Sequence, residues 1–153
     1  MPEQFRAWNK NNNAWFKTDL GIFLIGTDGK LYFCQTLNGH YSKQPIDLGI
    51  QDVNKNGYDY EINRFTGAFD ENEHPLYEQD LVKSDEVDGI GVIKFGRWTK
   101  EVEEYEVEQY GYYIEWWVEG WDYNPHSFND TLPDREVVLF GNTYEKKDWI
   151  KKI

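Results

Sequence analysis

The densest set of groups that could do chemistry in this 153-residue chain is Asp70-Glu71-Asn72-Glu73-His74. Read from Asp70, the run opens D-x-N, as a calcium loop does. Such a loop also needs glycine at its sixth position, for the sharp turn, and a bidentate glutamate at its twelfth. Those positions hold Pro75 and Leu81, so the cation reading fails. What remains is a solvated, exposed turn over Asp70–Glu73 whose Asp and Asn side chains bond their own backbone.

Other chemistries fail on spacing or number. His40, His74 and His126 lie far apart in three turn-like segments, and the single Cys34 supplies no thiolate set for zinc. Neither a G-x-S-x-G elbow nor a phosphate-cradling or dinucleotide glycine loop is present. Carboxylate pairs carry no information, because 28 Asp and Glu make them common by chance. No cofactor is expected, and an enzyme using carboxylates ranks last among the functions.

The elements that must position these residues follow from composition and pattern. Net charge is −12, yet aromatics make up 18% of the chain, far too many for a disordered acidic segment. The charge sits on a folded body, repels phosphate backbones and disfavours direct nucleic-acid binding. Neither a leader pattern nor an apolar run long enough to span a bilayer is seen, so no membrane is expected. One cysteine fits a reducing, cytoplasmic setting.

Strand periodicity dominates. Asp28-Gly29, Asn38-Gly39 and Asn56-Gly57 between apolar runs predict tight hairpins with positive φ at both central residues. "KNNN" after "QFRAWN" reads as a further turn. In "TKEVEEYEVEQYGYYIEWWVEGW" the alternation changes phase, which predicts a bulge near Gln109–Gly111. Glu104, Glu106 and Glu108 belong to an acidic stripe on an edge strand. Trp116 and Trp117 point to opposite faces, so Trp117, with Tyr110 and Tyr113, is expected to need cover from a second subunit. Only the tail, "TYEKKDWIKKI", reads as helical. With no linker composition, residues 1–153 read as one mainly β domain, an antiparallel meander or partly open small barrel with a short carboxyl-terminal helix.

Three stretches occur in a telling order: "FRAWNK", "FTGAFDENEHPLYEQDLVK" and "VVLFGNTYE". Together they resemble the YopX family of phage and prophage proteins, with its F-R-A-W start, its Y-T-G-L-x-D-x-x-G-x-x-I-Y-E-G-D-I-V centre and its G-N-I-Y-E close. Phe5, Arg6, Trp8, Thr66, Gly67, Tyr77, Asp80, Gly141 and Asn142 carry the likeness. The chain departs from the pattern by lacking the glycine of the acidic turn and by having Gln79 where the family has glycine. The resemblance implies a mainly β fold, no assigned activity, self-association and a structural role for Asp80, bonding backbone amides in a tight corner. The function expected is that of a non-enzymatic phage accessory protein in the bacterial cytoplasm, binding itself and a host or phage protein. The alternative is an acidic decoy that occupies a nucleic-acid site on a host defence or regulatory protein.

Overall fold

The computed structural model describes residues 2–17, 21–37, 40–41, 50–122 and 124–153. They form two compact units, Arg6–Ile62 and a larger one made of Met1–Phe5 with Asn63–Ile153. The chain leaves one unit for the other inside strands, between Phe5 and Arg6 and between Ile62 and Asn63. No linker composition marks either point.

In the smaller unit, β1 (Phe5–Asn9) pairs with β2 (Ala14–Trp15), Trp8 opposite Trp15. The "KNNN" turn joins them, with the Asn9 side-chain oxygen accepting from the Asn11 and Asn12 amides. Trp8 is buried edge-on against Trp15, and the Arg6 guanidinium covers the other ring. Strands β3 (Gly21–Ile25) and β4 (Leu31–Leu37) form an antiparallel hairpin, and β4 also pairs with β5 (His40–Tyr41) and β6 (Ile50–Asp52).

Two of the three expected Gly turns lie in described residues, and both differ from the tight form. The register Ile25↔Leu31 leaves a five-residue loop, and only Gly29 has positive φ; Asp28 instead accepts from the Lys30 amide and the Tyr32 hydroxyl. Gly57 closes a turn with Asn54 rather than a two-residue hairpin. Asn38-Gly39 lies outside the described residues. Cys34 is half-buried.

The larger unit contains the rest of β7 (Tyr60–Phe69), β8 (Pro75–Tyr77), β9 (Asp80–Lys83), β10 (Gly89–Val102), β11 (Tyr105–Glu119), β12 (Pro125–Thr131) and β13 (Val138–Asn142). Its main sheet is antiparallel throughout, in the order β12-β11-β10-β9-β13, and curls into a half-barrel. Alternate residues of a strand serve opposite faces, and here both faces bury apolar side chains. Ile93, Ile114, Trp116 and Val82 pack with Ala68, Leu76 and Val137 on one; Leu81, Ile90 and Val92 pack with Trp117, Phe140 and Trp149 on the other. The expected carboxyl-terminal helix is a single 3-10 turn, Trp149–Lys152, which carries Trp149 onto the second face.

The family-like centre forms the corner between β7, β8 and β9. Thr66 donates to the Leu76 carbonyl and accepts from the Ala68 amide, and Gly67 lies at the register shift between Phe65 and Phe69. The Tyr77 hydroxyl donates to the Glu3 carbonyl. Asp80, almost wholly buried, accepts from the Tyr77 amide at 2.9 Å, as the corner reading expects. On the neighbouring strand, Gly141 sits at a register shift opposite Leu81, and Asn142 accepts from the Tyr144 and Glu145 amides. Asp80→Ala should therefore cost about 1–3 kcal/mol, the penalty of an orphaned buried amide. Glu73→Ala removes only an exposed ion pair with Arg135 and should cost well under that. Equal melting temperatures for the two variants would overturn the assignment.

Glu73 and Gln79 occupy the two central positions where the family pattern has glycine and this chain does not, and both have left-handed backbones, φ 66° and 68°. A side chain in that region costs roughly 1 kcal/mol. Gln79 recovers part of it through its amide oxygen, which accepts from the Thr143 hydroxyl at 3.0 Å. Gln79→Gly and Gln79→Ala both lose that bond, but only alanine keeps the strained Cβ. The glycine variant should melt higher, by about 1 kcal/mol in stability.

Candidate functional site

The sequence reading places an exposed turn at Asp70–Glu73, and the structure divides it. Asp70 is fully buried. One carboxylate oxygen accepts from the Asn72 and His74 amides, at 2.9 and 2.8 Å; the other accepts from the Leu139 amide at 2.9 Å and lies 3.1 Å from the His74 ring nitrogen. Burial by itself would raise the pKa of this carboxyl. The Leu139 and His74 amides, the His74 ring and the Asn72 amide outweigh it, and the group is held below the ordinary carboxylate range. Glu71, Asn72, Glu73 and His74 are exposed. Around them the Arg135 guanidinium pairs with Glu73 and Asp134, and Asp134 accepts from the Phe69 amide. Among the described residues no group of three His, Cys, Asp or Glu could hold a metal ion. Asp70 locks the turn onto β13, which is a structural task.

The candidate interface residues fall into two groups. Trp117 is half-buried: Trp149 of the same chain stacks edge-on at 5.8 Å, and the indole N–H donates to Glu115 at 2.8 Å. The cover expected from a second subunit is thus supplied from within. Tyr113 is also half-buried, lying parallel to Trp98 with ring centroids 5.3 Å apart. By contrast Tyr110 is 76% exposed, as is its neighbour Tyr105 at 74%, which the sequence reading did not single out.

These tyrosines belong to an arm made of the far halves of β10 and β11. Pairing runs without a break from Gly89↔Val118 to Val102↔Tyr105, so the expected bulge at Gln109–Gly111 is absent. In its place Gly96 and Gly111 sit directly opposite one another with φ 145° and 138°, a region closed to other residues. The two glycines face each other at one level of the hairpin, and the register is kept through them. The stripe itself is interrupted by a hairpin turn at Glu103–Glu104, Glu103 having φ 57°.

Beyond the glycines the far part of β10 lies against β12: the Asn129 side-chain amide donates to the Thr99 carbonyl, and Lys100 pairs with Asp130 at 2.9 Å. On β11, pairing with β12 stops at Tyr113↔Thr131. Every residue from Glu101 to Tyr110 is exposed. Glu101 stands directly opposite Glu106, a like-charge pair that destabilises the arm. Arg97 pairs with Glu108 at 2.9 Å. Among the described residues no cation pairs with Glu101, Glu103, Glu104 or Glu106.

Within the described residues no helix is long and apolar enough to cross a membrane. No curated protein matches the chain. A family model described as YopX protein matches residues 4–151, a span that takes in all three stretches of likeness and both units of the fold. The chain belongs to the YopX family.

Proposed function

We propose that this YopX-family chain is a phage or prophage accessory protein, non-enzymatic, that acts by binding protein, a second copy included, through the β10–β11 arm. The observation that carries the reading is the exposure of Tyr105 and Tyr110, with Val102 and Val107 on the same hairpin, on an element whose pairing register runs unbroken. Tyrosine is enriched at protein interfaces because it offers a large apolar ring and a hydroxyl at low entropic cost. A cytoplasmic setting in the bacterial host fits this role.

A photo-crosslinking residue at Tyr110 tests the proposal. It should trap protein adducts in host cells, where the same residue at the exposed Lys151 does not, and light scattering will show whether the adduct partner is a second copy. No adduct above the Lys151 control would overturn it. The unpaired Glu101, Glu103, Glu104 and Glu106 favour a second reading, an acidic decoy for a nucleic-acid site. That reading requires the protein to displace DNA from a host DNA-binding protein, and Glu→Gln at these four positions to abolish displacement.

A further inference from the structure

Edges of a sheet are the places where it can accept another strand, and proteins usually close them. In the larger unit the β13 edge is closed by the Asp70 turn, with the Leu139 amide donating to Asp70 and the Glu71 amide to the Val137 carbonyl. The far half of β10 is held against β12 through Thr99 and Lys100. The outer edge of β11 from Tyr105 to Tyr112 is different. Among the described residues no strand pairs with it, because β12 ends its pairing at Tyr113. We propose that this edge accepts, by strand addition, an extended basic segment of another protein in which Lys or Arg alternates with apolar residues.

Charge and alternation choose the occupant. Glu106 and Glu108 share one face of β11, while Tyr105 and Val107 share the other. A strand added alongside places its own alternate residues opposite these. Cations opposite Glu106 and Glu108 meet carboxylates, and the Glu101–Glu106 repulsion is relieved at the same time. Apolar residues on the other phase cover Val107 and Tyr105, both exposed in the chain alone. A second copy of β11 is the wrong strand for this edge, because it would bring a matching row of glutamates; self-association through the arm would use its exposed rings rather than strand addition. The charge that keeps copies of the strand apart admits a strand of opposite sign.

This inference rests on the arm being the binding element, and its test separates the two. The probe is a peptide of roughly eight residues alternating Lys and Val, the length of the open edge. It is compared with a block-sequence peptide of the same composition, and with a version N-methylated at alternate residues so that it cannot donate to an edge. Binding is read by calorimetry and by hydrogen exchange of the protein's amides. Expected are an affinity about tenfold above both controls and new protection confined to 105–112. Glu106→Lys with Glu108→Lys should reverse the preference towards an alternating Glu–Val peptide. Binding of the block or N-methylated peptide as tight as that of the alternating peptide, or protection outside 105–112, would overturn strand addition. Adducts from Tyr110 without peptide protection of the edge would leave the arm as the binding element and remove only this inference.

Discussion

Asp70→Ala should be among the most damaging single substitutions in this chain, lowering stability by on the order of 3–5 kcal/mol. Three backbone amides, of Asn72, His74 and Leu139, lose their acceptor at once. Each unsatisfied amide costs about 1–3 kcal/mol when buried; Asn72 and His74 are exposed, so water offsets part of their loss. In a domain of this size such a change lowers the melting temperature by roughly 10 °C or more. Asp70→Asn keeps one acceptor oxygen and should fall between.

The same carboxylate sets a pH dependence. Its folded pKa lies below the unfolded value of about 3.9. Its contribution is therefore complete above that value and is lost as pH falls through the folded pKa. The stability gap between the parent and Asp70→Asn should be constant from neutral pH to about pH 5 and narrow below about pH 4. Urea unfolding at a series of pH values measures it. A gap that stays constant into strong acid would show that Asp70 is not held as the anion.

Trp117→Glu is the second large effect, and its direction separates two accounts of the aromatic cluster. If Trp117 faced a partner subunit, the variant would dissociate and remain folded. Instead Trp117 packs with Leu81, Ile90, Val92, Phe140 and Trp149. The substitution removes a large ring and puts a carboxylate beside Glu115, the group that accepts from the Trp117 indole. A loss of about 3 kcal/mol or more is expected, read as a fall in denaturation midpoint at unchanged protein concentration dependence. Trp149→Ala should weaken the same contact from the other side. A folded Trp117→Glu protein with parent-like stability would restore the subunit account. Tyr110→Ser, on the exposed arm, should leave stability within about 0.5 kcal/mol of the parent.

Alternation, turn residues and the three ordered stretches determined a good deal by themselves: a mainly β chain, the family, the corner role of Asp80, and opposite faces for Trp116 and Trp117. These are local properties, readable because strand period and turn chemistry act over a few residues. The unit boundary was not legible, because the chain crosses it inside β1 and β7, where no flexible composition is needed. Nor was the opposition of Gly96 and Gly111. Where the sequence suggested a bulge, two glycines 15 residues apart in sequence stand opposed in space with positive φ, and that opposition exists only once the hairpin has formed. Tertiary structure alone decided the burial of Asp70, whose third backbone donor comes from Leu139, 69 residues away. It also decided the cover of Trp117, supplied by Trp149 from the end of the chain. Which carboxylate is a lock and which ring is exposed depends on partners distant in sequence, and a one-dimensional pattern carries no record of them.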